Sequence, residues 1–212
     1  MRMPTPPSRL TTRRQLGAAL LAAPWVWRAA RAQPRRALAP TPSQTEGPFY
    51  PVQLPADHDA DLLRAGVRQY AQGAPAWVEG TLTDLDGQPL AGAQVEIWQC
   101  DQAGHYHHPR DGGAADPAFQ GFGRMDVGAD GQWRFRTIRP APYPGRTPHI
   151  HLKVRLGPRE LLTTQLYVEG EPGNARDGLW RRLDDSARAL LTRPFVPGSD
   201  GLRARYALAV AA

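Results

Sequence analysis

Residues 76–100 read AWVEGTLTDLDGQPLAGAQVEIWQC, and this stretch decides the fold. Ala76–Thr83 is a short β-prone run, and Ala93–Cys100 is a second one. Between them Asp86-Gly87 supplies a hairpin turn, the dipeptide that best tolerates the positive φ angles a tight hairpin requires. The same texture continues outward. Gly121–Val127 and Trp133–Ile138 flank the turn Gly128-Ala129-Asp130-Gly131. A proline-rich loop, Arg139–Pro148, leads into His149–Leu156, and Gly157-Pro158 turns the chain into Leu161–Val168. Leu202–Val210 reads as a closing strand. Strands at this spacing without intervening helices predict an all-β, antiparallel β-sandwich. One helix is expected near the C-terminus, Asp177–Arg193, where Leu179, Trp180, Leu183, Ala187, Leu190 and Leu191 recur at helical spacing and form a face for packing on a sheet.

Upstream of the sandwich the texture differs. Residues 33–75 carry Pro34, Pro40, Pro42, Pro48, Pro51 and Pro55 and predict an extended arm, with one helical turn at Asp59–Arg64. Residues 1–32 have the order of a bacterial export signal: Arg13-Arg14, an apolar run from Gly17 to Trp27, and Ala30–Ala32 as a small-residue cleavage site. The paired arginines predict the twin-arginine route and a periplasmic or exported protein. The apolar run is too short to span a bilayer, so no stable membrane anchor is expected. The expected division is therefore signal 1–32, arm 33–75 and catalytic sandwich 76–212.

That division changes the meaning of the charge. The chain of 212 residues carries a formal +6. Arg2, Arg9, Arg13, Arg14, Arg28 and Arg31 all precede residue 33, where Asp and Glu are absent, so the remainder is formally neutral. The basic pI gives no reason to expect nucleic acid as a partner. Lys153 is the sole lysine, a bias read as codon usage. Cys100 is the sole cysteine, so an intrachain disulfide is excluded and packing alone must hold the sandwich.

Two clusters could carry chemistry. In His149-Ile150-His151, side chains at i and i+2 of a strand project to one face and offer two imidazoles to a metal. The second, Asp101–His108, holds His105, Tyr106, His107 and His108. Its three histidines invite a zinc site, but the spacing matches no zinc pattern and no acidic general base is well placed, so they read as loop residues. Trp98 and Trp133 read as core or sheet-face residues outside any site.

Taken in order, these segments resemble a known family. Val95-Glu96-Ile97-Trp98-Gln99 leading to Gly104-His105-Tyr106 comes first, then Gly121–Arg124 and Phe135–Ile138. Pro142-Tyr143-Pro144, Arg146–His151 and Thr164-Gln165-Leu166-Tyr167 follow. Together they resemble the intradiol ring-cleavage dioxygenases, and within that family the iron-binding subunit of protocatechuate 3,4-dioxygenase, over most of residues 76–210. The arm segment Thr41–Pro48 resembles the amino terminus of that enzyme's other subunit.

The resemblance implies an Fe(III) cofactor with O2 and a small-molecule catechol as substrates. It implies Tyr106, Tyr143, His149 and His151 as metal ligands, Tyr143 and His151 being axial. Tyr143 would also act as a base. Arg146 would stabilise negative charge on the substrate ring, and Gln165 would orient it. Thr45, Gly47 and Pro48 would line the pocket from the arm. Arm and iron motifs in one chain imply a self-sufficient homo-oligomer. Two departures bear on the substrate: the loop from Tyr143 to His149 is shorter here, and Gly145 replaces an aromatic residue. The competing class is a non-catalytic exported sandwich that binds carbohydrate or peptide, since sandwiches share hairpins without sharing function.

Overall fold

The computed structural model describes Met1, Met3 and residues 37–212. The export-signal reading falls on residues outside that set. Residues 37–63 run without a regular element, apart from an isolated bridge between Asp61 and Arg136. Two short strands, β1 (Arg64–Ala65) and β2 (Arg68–Gln69), then form a small hairpin. The sandwich consists of β3 (Pro75–Asp84), β4 (Gln94–Trp98), β5 (Phe122–Asp126), β6 (Gln132–Ile138), β7 (His149–Leu156) and β8 (Arg159–Val168). After it come α1 (Asp185–Leu191), β9 (Thr192–Arg193), β10 (Val196–Gly198) and β11 (Gly201–Val210).

One sheet has the order β10-β11-β3-β6, the other β5-β4-β7-β8-β9. Pairing is antiparallel except between β3 and β11 and between β8 and β9. Both exceptions join strands far apart in sequence, and hairpins join only antiparallel neighbours. The core lies between the sheets. Val78 and Leu82 of β3, Trp133 and Phe135 of β6 and Leu208 of β11 meet Val95, Ile97, Ile150, Leu152, Val154 and Leu166 of the opposite sheet.

Strand β7 departs from the usual alternation of buried and exposed residues. Its inward set, Ile150, Leu152 and Val154, is fully buried, but so are His149, His151 and Lys153 on the other face. The residues before β1 cause this. Gln44 N–H donates to Thr163 O (2.8 Å) along the edge of β8. Thr164 Oγ1 donates to Pro42 O (2.7 Å), and Glu46 pairs with Lys153. An extended arm therefore roofs the outer face of the five-stranded sheet.

Two local expectations are corrected. Asp177–Arg193 is not one helix: α1 covers only Asp185–Leu191, after 3₁₀ turns at Pro172–Arg176 and Trp180–Arg182. Asp177 captures Leu179 N–H and Trp180 N–H (both 2.9 Å), and Leu183 is extended at φ −71°, ψ 139°. Asp184 then starts the helix afresh by accepting from Ala187 N–H (2.7 Å), an N-cap bond. The helix buries Ala187 and Leu191. At Asp59–Arg64 there is no helical turn; Leu62 N–H donates to Arg136 O (2.8 Å), and Arg64 opens β1.

Gly80 sits between Trp133 of β6 and Tyr206 of β11 in register. A Cβ there would lie 2.9 Å from the Trp133 ring and collide with Tyr206 O. Overpacking of this kind costs about 1–3 kcal/mol. The expected outcome for Gly80→Val is a melting temperature lower by roughly 4–10 °C; an unchanged thermal transition would contradict the packing described.

Candidate metal centre

Four side chains converge under the arm. Tyr106 comes from the loop after β4, whose shape two carboxylates fix. Asp101 Oδ1 accepts from Ala103 N–H (2.9 Å) and His105 N–H (3.0 Å), and Asp111 Oδ2 accepts from Tyr106 N–H (2.8 Å). Tyr143 opens a tight turn closed by Arg146 N–H donating to Tyr143 O (2.9 Å). His149 and His151 stand on one face of β7. Ring centroids are 5.4 Å apart for Tyr106–Tyr143, 5.4 Å for Tyr143–His149, 4.8 Å for His149–His151 and 6.1 Å for Tyr106–His151.

The hydrogen bonds of this cluster are incomplete in an instructive way. His149 Nδ1 faces only the carbonyl of Thr147 (2.6 Å), so Nδ1 carries the proton and Nε2 is a bare lone pair. That Nε2 lies 3.2 Å from His151 Nε2 and 3.4 Å from Arg146 Nη1. His151 Nδ1 is buried without a partner, and so is Tyr106 Oη. Burial, reinforced by Arg146, pushes the His149 pKa down to about 3. Burial, then His149 and Arg146, pushes His151 well below its usual value. Both imidazoles are therefore neutral at neutral pH and available as ligands.

Burial raises Tyr106 well above the usual phenol value, and it raises Tyr143 despite the opposing charge of Arg146. Leaving a buried polar group unmet costs about 1–3 kcal/mol. A cation among these four atoms would accept both imidazole lone pairs and favour both phenolates. The donor set, two nitrogens and two phenol oxygens, fits a hard trivalent ion. Among the described residues no cluster of three or more His, Cys, Asp or Glu could hold a metal, so such a centre depends on the tyrosines.

Beside the cluster, Arg146 is held on three sides. Its Nε donates to Asp177 Oδ2 (2.8 Å), Nη2 to Gln165 Oε1 (2.5 Å) and Nη1 to Tyr143 Oη (3.2 Å). Gln165 Nε2 in turn donates to Thr45 O (3.0 Å), tying the arm of the same chain to this network. Gly47 lies over His151, φ being +77°, where a Cβ would sit 3.3 Å from His151 Cε1. The Thr45 side chain and Pro48 are exposed. His105 contacts Asp111 (3.1 Å), His107 donates to Phe119 O (2.6 Å) and His108 accepts from Arg110 N–H (3.1 Å), so these histidines shape their loop and do not join the four.

Several residues belong here that sequence reasoning leaves out. Trp98, expected outside any site, stacks on His151 with centroids 4.8 Å apart and planes 8° from parallel. Its register partner across β4–β7 is His151, so the strand pairing carries the signal. Phe49 stacks on Tyr106 (4.5 Å) and meets Tyr143 edge-on (5.8 Å). Lys153 is the next residue on the histidine face; it pairs with Glu46 and with Glu160 (3.2 Å) and lies 4.0 Å from the Tyr50 ring. Tyr50 Oη donates to the buried Glu96 (2.8 Å), which also holds Arg124. Asp177, by spacing only the start of a helix, is the anchor of Arg146.

Comparisons with known proteins identify the family. A family model described as "Dioxygenase" matches residues 45–192. The hydroxyquinol 1,2-dioxygenase of Corynebacterium glutamicum is 31% identical over 181 residues, which cover 73% of this chain and 56% of that protein. The protocatechuate 3,4-dioxygenase beta chain of Burkholderia cepacia is 34% identical over 180 residues, 76% of this chain and 75% of that one. The solved dioxygenase domain of a dioxygenase–carbohydrate-binding fusion from Streptomyces sp. SirexAA-E superposes with a TM-score of 0.65 at 32% identity, covering 82% of this chain and 99% of that one. This chain belongs to the intradiol dioxygenase family. It spans about half the length of the hydroxyquinol 1,2-dioxygenases it matches, 56% and 54%.

Two outcomes follow. Asp177 lies below the usual carboxylate range: burial opposes this, but bonds from Trp180, Thr147 and Arg146 outweigh it. A carboxylate with a depressed folded pKa stabilises above its unfolded value and loses that contribution as pH falls through the folded one. Asp177→Asn should therefore cost about 2–4 kcal/mol at pH 7. Denaturant titrations should show the gap to wild type narrowing below the ordinary value of 3.8; a gap independent of pH would contradict this. Gly47→Val should weaken metal affinity about 10- to 100-fold in chelator competition. Unchanged affinity would mean that the arm does not press on His151.

Proposed function

We propose that this chain is a non-haem iron(III) intradiol dioxygenase, which uses O2 to break the bond between the two hydroxyl-bearing carbons of a catechol. The observation that carries the reading is the convergence of Tyr106, Tyr143, His149 and His151, with Tyr106 Oη and His151 Nδ1 buried and unpartnered and the two histidine Nε2 atoms 3.2 Å apart. These four would hold the iron. Iron(III) held there would supply Lewis acidity that favours the deprotonated catechol and activates its ring toward O2.

The chain's own residues divide the remaining work. Tyr106 is buried and stacked under Phe49, so it is a fixed support. Tyr143 is half-buried and its Oη already accepts from Arg146. As a phenolate, that oxygen is the group placed to take a proton from a substrate hydroxyl. Arg146, fixed by Asp177 and Gln165, presents a positive charge where negative charge develops on the ring. The arm excludes water from the imidazole face. The carbon–carbon bond breaks, both oxygen atoms enter the product, and a cis,cis-muconate-type diacid results.

The substrate reading is a protocatechuate-like catechol, supported by the relative of which this chain spans three quarters. The test is oxygen uptake and product mass with the iron-loaded protein and protocatechuate, catechol and hydroxyquinol. One O2 consumed per diacid formed is expected for at least one of them. Arg146→Met should lower kcat/KM by about 10²–10³. Absence of ring cleavage in every case, with iron bound, would sink the proposal.

A further inference from the structure

Lys153 is the one lysine among 26 lysines and arginines, and it stands two residues beyond His151 on the same face of β7. Its side chain is 3% exposed and ends between two carboxylates, Glu46 of the arm and Glu160 of β8 (3.2 Å). Both carboxylates are partly open to solvent, at 43% and 45%. The ammonium is therefore the buried partner, and it gathers two groups that would otherwise stay in water. Desolvating an ammonium is costly unless it is paired, so an apolar side chain would fill this position more simply. The lysine has to be accounted for by what it holds.

It meets the arm at two points. One is Glu46. The other is Tyr50, whose ring centroid lies 4.0 Å from Nζ and whose Oη donates to the buried Glu96 (2.8 Å). Between these points run Gly47, Pro48 and Phe49. Gly47 lies over His151, and Phe49 stacks on Tyr106 with ring centroids 4.5 Å apart. Tyr50 also meets Trp98 edge-on (5.0 Å), and Trp98 stacks on His151. The bonds made by Gln44 and Thr45 lie upstream of this segment, whereas Lys153 touches both of its ends. A compact ammonium suits the place: one atom is reached by two carboxylates and a ring face, which a planar guanidinium fork would meet differently.

We infer that Lys153 is a positioning residue for the metal centre. By holding Glu46 and Tyr50 it keeps residues 47–49 pressed on His151 and Tyr106, two of the four metal ligands, and so slows escape of the metal. It acts through the arm. The inference rests on the proposed function for the identity of the metal, and on the contacts of the chain itself for the clamp.

The experiment compares Lys153→Met, which keeps the buried stem, with Glu46→Gln on the arm and Glu160→Gln on β8. Hydrogen exchange of residues 41–50 in the metal-free chain reads the clamp directly. Lys153→Met and Glu46→Gln should each speed that exchange about tenfold or more, and Glu160→Gln should leave it as in wild type. His151, fully buried in wild type, should become open to ethoxyformylation by diethyl pyrocarbonate in the first two variants only. The double variant Lys153→Met with Glu46→Gln should be no looser than Lys153→Met alone, because the two act through one contact. In the iron-loaded chain both single variants should weaken iron retention about 10- to 100-fold in chelator competition. Unchanged exchange and unchanged His151 reactivity in Lys153→Met would overturn the inference. So would Glu160→Gln loosening the arm as much as Glu46→Gln, which would make the lysine a prop for the β7–β8 pairing, or iron retention that ignores an arm shown to be loose. A wild-type chain that takes up no iron would refute the dioxygenase reading alone, since exchange and His151 reactivity in the metal-free chain still decide the clamp.

Discussion

The structure turns on how two neutral imidazoles are held 3.2 Å apart in a buried site. His149 has spent its proton on Thr147 O, so its Nε2 can only accept. If His151 donates from Nε2, its buried Nδ1 is left with an unmet lone pair. If it is protonated at Nδ1 instead, two lone pairs face each other and the Nδ1–H has no acceptor. Neither tautomer satisfies the pair. With Tyr106 Oη also unmet, the cluster is a set of lone pairs that a cation would satisfy.

Much of the remaining architecture keeps that cluster buried. One face of β7 packs in the core, and the other would face solvent if the arm did not cross it. The arm is held by polar contacts spaced along its length: Gln44 to Thr163, Thr45 to Gln165, Glu46 to Lys153, and Tyr50 to Glu96. Between them Gly47 and Phe49 press on His151 and Tyr106. Because this arm belongs to the same chain, the cover and the cluster form as one unit. Among the described residues Arg146 is the cation that lies directly against the cluster, and Asp177 fixes it with a full opposite charge. That pairing lets a guanidinium sit beside neutral histidines at tolerable electrostatic cost.

The β-sandwich is legible in the sequence because strand runs and turn dipeptides are local signals. The two-residue period of a strand likewise puts His149 and His151 on one face. The two tyrosines and Arg146 are legible only through ordered resemblance, since nothing local marks Tyr143 between two prolines as a ligand. Trp98 escapes because its role depends on register with His151, a pairing between strands. Lys153 escapes because a lone lysine invites a compositional reading, whereas its burial follows from an arm a hundred residues upstream. The single helix expected at Asp177–Arg193 breaks up because Asp177 and Asp184 both bind backbone N–H groups, a competition that apolar spacing does not reveal.

The central claim is that two phenol oxygens and two imidazoles form one iron(III) centre. Resonance Raman spectroscopy of the iron-loaded chain, excited in its visible band, tests it most directly. The account predicts one iron per chain and tyrosinate modes from two residues. Tyr106→Phe and Tyr143→Phe should each remove one set, and the double variant should be colourless. Iron bound without tyrosinate modes, or modes unchanged in both single variants, would contradict it.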